Sequence, residues 1–197
     1  MSLVRLLLRE LLRGPRTIDG PPADPLGIEQ LGLALGERAR DRLGRSLRIR
    51  EVDAGSCNGC ELEIQAVNGP VYDLERFGIQ FVASPRHADV LLVTGPVSLN
   101  MVEALQRTYV ATPSPKWVVA MGDCARDGGC FAGGYAVAGG VHRVLPVDLT
   151  IPGCPPTPEK LLSGLLALLD AAAVGSDGSS MPLVLRDGVI APPQDEG

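Results

Sequence analysis

The sequence predicts an α/β fold, an open and mostly parallel sheet with helices on both faces. Three observations point to it. The runs ADVLLVTG (88–95) and KWVVAMG (116–122) are apolar almost without interruption, as strands buried on both faces must be. Helix-like segments alternate with such strands, as parallel crossovers require. The 24 Gly and 17 Pro fall mostly at the breaks between these segments, where turns need their special backbone angles.

Taken in order, residues 3–13 form an amphipathic helix. Arg5, Arg9 and Arg13 share one face by i, i+4 spacing, and Leu3, Val4, Leu7, Leu8 and Leu11 cover the other. Such a helix either lies on a membrane surface or a partner, or packs on its own domain. The Gly/Pro-rich run at 14–27 separates it from the body and favours the first reading. Residues 28–45 are helix-like but interrupted by Gly, either a helix or a linker that orders on a partner. The regular pattern then begins. Strand LRIREV (47–52) precedes a short helix at 60–68 and strands at 79–83 and 88–95. A helix at 98–111 opens on Ser98 as cap, followed by the strand at 116–122. A weaker strand at 142–149 and a helix at 157–173, with Thr157 as cap and Pro158 in its first turn, complete the body. Three segments result: 1–45 as amphipathic helix and partner-binding linker, 46–173 as the α/β domain, and 174–197 as a flexible Gly/Ser/Pro-rich tail.

A chain of 197 residues with 45% apolar content fits one domain with a real core. The net charge of −5 argues against a nucleic-acid partner. Residues 1–50 carry ten Arg against six acids, so basic charge crowds the leader, the part suited to a membrane surface or an acidic partner. No apolar run approaches a membrane span, and Arg and Glu interrupt the opening apolar stretch, which therefore lacks a signal peptide's core. Five cysteines, an odd number, do not make a disulfide framework. A reducing, cytoplasmic setting follows, where thiols bind metal or do redox work.

The cysteine positions carry the sharpest inference. Cys57 and Cys60 follow the first strand of the body, Cys124 follows the strand at 116–122, and Cys154 follows the weak strand. In an open parallel sheet all loops leaving strand C-termini emerge on one edge, where ligands bind. Four thiolates gathered there hold a 4Fe–4S cluster or a tetrahedral zinc. A redox disulfide at Cys57 and Cys60, or plain thiols, is the remaining reading, but it leaves Cys124 and Cys154 unexplained. Only one CxxC pair exists and the other two cysteines are singles in Gly- or Pro-bounded loops, which favours the cluster. Cys130, in GGCFAGG, is the odd thiol, either free or an alternative ligand.

Four motifs, CNGCE, SPRHADVLLVTGPV, MGDCARDGGCF and VDLTIPGCPPTPEKLL, resemble the cluster-bearing small subunit of membrane-bound nickel–iron hydrogenases. That family includes formate hydrogenlyase and energy-converting types and is homologous to the 20-kDa subunit of respiratory complex I. The resemblance covers about residues 46–170 and implies a flavodoxin-like fold carrying one 4Fe–4S cluster. Carried over residue by residue, it assigns Cys57, Cys60, Cys124 and Cys154 as ligands and leaves Cys130 unmatched. It further implies a large subunit (complex I 49-kDa-like) with a nickel–iron centre, a ferredoxin-like iron–sulfur subunit, and membrane-arm subunits. The expected location is the cytoplasmic face of the inner membrane, peripheral, with no catalytic residue in this chain alone. One departure discriminates branches: complex I subunits carry two adjacent cysteines in the first motif, whereas here Asn58 and Gly59 separate them. The complex I-like alternative passes electrons to quinone or to a nickel-free large subunit.

Other residues invite roles. Glu61, beside Cys60, is either a proton relay or a carboxylate favoured by a helix N-terminus. By the resemblance Arg86 and His87 lie near the cluster or interface, where they tune potential or couple protons; the alternative is a solvated loop. Asp123 and Arg126 read as an ion pair, and Trp117 as core.

Overall fold

The computed structural model describes residues 25–171 and the backbone of 183–186 and 189–191. The amphipathic segment 3–13 lies outside them. Helix α1 (Pro25–Leu43) occupies the stretch read as helix or linker. Its interrupting glycines have a packing reason: a Cβ at Gly32 would stand 2.5 Å from the Phe77 ring, and one at Gly36 would strike the Phe77 carbonyl. Leu35 and Ala39 are buried, and Arg38 pairs with Asp170 at 2.8 Å, fixing α1 against the last helix.

Strand β1 (Leu47–Asp53) leads to α2 (Gly59–Val67), then β2 (Ile79–Phe81) and β3 (Val90–Thr94). A short ribbon pairs β4 (Val97–Ser98) with β6 (Val137–Gly139). Between them lie α3 (Val102–Ala111), β5 (Trp117–Met121) and the single turn α4 (Asp123–Asp127). β7 (Leu149–Ile151) and α5 (Pro158–Ala171) complete the body. From the segment read as tail, β8 (Leu183–Arg186) adds parallel to β7 and β9 (Val189–Ala191) adds antiparallel to β8. The sheet order is β2-β1-β3-β5-β7-β8-β9. Its first five strands, counted among themselves in chain order, run 2-1-3-4-5, the flavodoxin-like order, with the switch point between β1 and β3.

Alternation along the strands supplies both faces. Leu47, Ile49, Val90, Leu92, Val119, Met121, Leu149 and Ile151 face α1, α2 and α5. Val52, Leu91, Val93, Val118 and Ala120 face α3 and α4. Trp117 is half-buried against the first of these layers.

Three boundaries differ from expectation. The strand expected at 142–149 lies at 149–151, because Pro146 offers no N–H to a ladder and residues 141–143 coil into a 3-10 turn. The strand expected at 79–83 stops at Phe81. Ser98 is not a helix cap: its N–H donates to the Ala54 carbonyl at 2.8 Å inside the ribbon, and α3 starts at Val102.

Candidate metal centre

The exits of β1, β5 and β7 bring four cysteines to the C-terminal edge of the sheet. After β1, the Asp53 carboxylate accepts the Gly55 and Ser56 N–H groups at 2.8 and 2.7 Å, turning the chain sharply. The Ser56 hydroxyl accepts the Asn58 N–H at 3.1 Å, and Asn58 takes φ 70° to launch α2. Cys57 is thereby left exposed, and Cys60 enters the first turn of α2 half-buried. The loop leaving β3 presses from behind: a Cβ at Gly95 would lie 2.5 Å from Ser56 Cα.

The β5 and β7 exits are clamped together. Gly122 N–H donates to the Ile151 carbonyl at 2.8 Å and Asp123 N–H to the Gly153 carbonyl at 2.9 Å. The Asp123 carboxylate accepts the Gly153 N–H at 3.2 Å and pairs with Arg126 at 3.0 Å, so the expected Asp123–Arg126 ion pair is present. Cys124 is buried in α4, while Cys154 is exposed just beyond Gly153. Gly122, at φ 93°, is the close approach between the halves: a Cβ there would stand 2.8 Å from Cys60 Sγ. The Cys60 thiol itself points at the Met121 carbonyl, 3.8 Å away.

The thiols feel one another. Burial pushes the Cys60 thiol up to about 12, reinforced by the charge of Glu61 and then of Cys124, Cys57 and Cys154. Burial, then Cys130 and Cys154, push Cys124 up to about 11. Both thiols therefore hold their protons, which a metal centre binding there would displace. Among the described residues no three His, Cys, Asp or Glu side chains close around a point fit for a single ion. Four cysteine sulfurs carried by three loops are a donor set that either an iron–sulfur cluster or a tetrahedral ion would use.

Glu61 is 8% exposed, and neither carboxylate oxygen has a partner. Burial, followed by the charges of Glu61 and Asp53, raises the Glu51 carboxyl above its ordinary range. Arg86 and His87 lie elsewhere. Both are exposed in the turn Pro85–His87 that enters the N-terminal end of β3, and the structure does not gather them with the thiols. The reason is topological: the β2–β3 connection crosses the sheet to its other edge. Sequence reasoning passed over several exposed apolar side chains, among them Leu62, Leu99, Phe131 and the fully exposed Tyr135. The one signal was aromatic residues inside the Gly-rich run 128–140.

Residues 57–168 match the family described as NADH ubiquinone oxidoreductase, 20 Kd subunit. The chain is 42% identical over 158 residues to formate hydrogenlyase subunit 7 of Escherichia coli (strain K12), covering 80% of this chain but 62% of that protein. It is 45% identical over 140 residues to a probable membrane-bound hydrogenase subunit, mbhJ, of Pyrococcus furiosus, covering 71% and 84% of the two chains. Among solved structures it is similar to a chain of the membrane-bound sulfane sulfur reductase, an archaeal respiratory membrane complex. The TM-score there is 0.60, with 33% identity and 78% of each chain covered.

Proposed function

The chain belongs to the 20-kDa subunit family of NADH–ubiquinone oxidoreductase, and on that premise we propose that it is the electron-transfer subunit of a membrane-bound nickel–iron hydrogenase. Cys57, Cys60, Cys124 and Cys154 hold one 4Fe–4S cluster next to the active centre of a large partner subunit. The observation that carries this reading is the convergence of four thiols, from the exits of β1, β5 and β7, on one sheet edge. When bound, such a cluster supplies a one-electron relay. The protein's own part is placement. The clamp between Gly122, Asp123, Ile151 and Gly153 sets the spacing of Cys124 and Cys154. Exposed apolar side chains such as Leu62, Leu99, Phe131 and Tyr135 offer surface that a partner would cover. Glu61, buried beside Cys60, is placed to hold a proton at a carboxylate oxygen when charge arrives nearby.

Two observations favour the hydrogenase branch: the Asn58-Gly59 spacer between the first two cysteines, and alignments to hydrogenase subunits that reach 80% and 71% of this chain. The partners are then a nickel-bearing large subunit, a ferredoxin-like iron–sulfur subunit and membrane-arm subunits, with this chain peripheral on the cytoplasmic side of the inner membrane. No helix among the described residues is long and apolar enough to cross a membrane. The second reading, transfer to quinone or to a nickel-free large subunit, draws on the family's description and on the likeness to the sulfane sulfur reductase chain. Purifying the native complex anaerobically decides between them. One nickel per large subunit, with hydrogen evolution from reduced ferredoxin, is the expected result. A nickel-free complex that reduces quinone or a sulfur compound would transfer the assignment to the second reading.

A further inference from the structure

The outer side of β1 is open over its last residues. Leu47 N–H donates to the Gly78 carbonyl at 3.0 Å and Val82 N–H to the Ile49 carbonyl at 2.8 Å, so odd-numbered backbone groups face β2. Even-numbered ones face β3: Asp89 N–H donates to the Arg48 carbonyl at 2.8 Å, and Ala54 N–H to the Thr94 carbonyl at 3.0 Å. Pairing with β2 ends at Ile49 and Phe81, whereas pairing with β3 runs on to Asp53 and Thr94. The backbone groups of Glu51 and Asp53 therefore face a side where no described strand pairs with them. At ~3.3 Å per residue this open edge is ~7 Å long.

A groove of about 430 Å³ is lined by Arg50, Glu51, Asp53, Phe81, Val82 and Ala83, where β2 has given out. Its polar side chains are short of partners. Arg50 Nε is buried with no acceptor, and the side chains of Arg50 and Glu51 make no hydrogen bond or ion pair with another described residue. The Asp53 carboxylate is committed to the Gly55 and Ser56 N–H groups of the turn that leads to Cys57. The balance of charge is negative. Burial, then the charges of Glu61 and Asp53, raise the Glu51 carboxyl, and Arg50 opposes them with the smallest effect. A compact metal ion does not answer this arrangement, since among the described residues no three His, Cys, Asp or Glu close around a point. An extended chain does. An open strand edge takes another backbone, a free carboxylate takes a basic side chain, and an incoming carbonyl supplies the acceptor that Arg50 Nε lacks.

Resting on the partner-subunit reading above, we propose that the β1 edge at 51–53 docks an extended basic segment of the large subunit, which pairs its backbone with Glu51 and sets an Arg or Lys side chain against the Glu51 carboxylate. Two observations select that partner. The groove opens at the C-terminal edge of the sheet, where the four thiols also emerge. Asp53 belongs to both places, lining the groove and shaping the turn that presents Cys57. Strand addition supplies affinity there, and the carboxylate rejects an acidic segment.

The test sets the photocrosslinker p-benzoylphenylalanine in place of the exposed Ala83 in the intact complex, and mass spectrometry identifies the captured peptide. The expected product is a large-subunit peptide carrying Arg or Lys. Capture of residues 1–24 of this chain, of a second copy or of another subunit overturns the proposal, and so does no capture. Glu51→Gln should raise the apparent dissociation constant of this chain from the complex about tenfold and flatten its salt dependence, with iron content unchanged. Glu103→Gln, which breaks an exposed pair with Arg107 on α3, should change neither. Affinity unchanged in Glu51→Gln, or weakened equally in both variants, overturns the charge contact. Loss of iron along with the partner in Glu51→Gln would tie Glu51 to the metal centre and overturn it too. The cross-link reads contact and not metal, so a complex that captures the large subunit yet holds zinc would sink the cluster reading alone.

Discussion

The two edges of the sheet are built on opposite principles. At the N-terminal edge, polar groups are paired and the strands are laced together by two aspartates. Asp89 is 4% exposed, and its carboxylate takes both Arg45 guanidinium nitrogens, at 2.9 and 2.6 Å, and the Arg48 N–H at 3.0 Å. Its backbone bridges further, donating to the Arg48 carbonyl at 2.8 Å and accepting the Trp117 N–H at 3.0 Å. Asp148 does the same between β5 and β7, accepting the Val118 N–H at 2.7 Å and donating to the Val118 carbonyl at 2.9 Å. At the C-terminal edge, Asp53 and Asp123 brace the loops in a similar way, but glycines at positive φ bring those loops close together. Gly95, Gly122 and Gly153 let loops approach where a Cβ would collide, crowding the thiols and leaving the Glu61 carboxylate without a partner. The difference teaches that rigidity and reactivity are separated by a strand's length. One edge satisfies its polar groups within the chain, and the other leaves them for something the chain alone does not contain.

That separation can be broken one edge at a time. The largest effect belongs to the open edge. Cys124→Ser or Cys154→Ser should abolish the intact cluster, read as collapse of iron and sulfide content, while far-UV circular dichroism of the complex stays native. A folded variant that keeps its iron would contradict the ligand assignment. The next effect belongs to the sealed edge. Asp89→Ala strands a buried backbone N–H and releases Arg45, costing about 2–3 kcal/mol in urea unfolding. The folded fraction should still load iron normally. If Asp89→Ala instead lost iron without losing stability, the division between the edges would fail.

How much of this was legible in the sequence depends on the range of the interactions involved. The continuous apolar runs that became β3 and β5 located the sheet, because burial on both faces leaves a local signature. The grouping of Cys57, Cys60, Cys124 and Cys154 was legible for the same reason, since parallel topology sends every strand exit to one edge. What escaped depended on contacts remote in sequence. Gly32 and Gly36 read as flaws in a helix until Phe77 is seen packed on them. Arg86 and His87 sit near a cysteine motif by analogy, yet the β2–β3 crossover carries them to the far edge. Gly129 gave no sign of resting on Cys124, because the contact depends on two consecutive left-handed glycines. The strand at 149–151 was displaced in the reading because apolar residues flank Pro146, while the ladder forms only beyond Asp148.

The smallest expected effect probes the charge stored at the open edge. Burial, then Glu61 and Asp53, raise the Glu51 carboxyl in the folded protein. A raised carboxyl binds its proton more tightly when folded, so its favourable contribution is present at low pH and fades as pH rises through the folded value. Glu51→Gln should therefore increase the unfolding midpoint at neutral pH, and the gain should vanish as pH falls into the ordinary carboxylate range. A gain that is equal at both pH values would show that the substitution acts through packing rather than charge.

The central claim is that four convergent thiols hold one 4Fe–4S cluster. It is tested most directly by counting iron and acid-labile sulfide per chain in the anaerobically purified subunit within its complex, with the partner subunits' own iron subtracted, and by recording the EPR spectrum after reduction. The account predicts about four irons and four sulfides attributable to this chain, with the signal of a single reduced cluster that disappears in Cys124→Ser. One zinc per chain, with no iron and no signal, would contradict it.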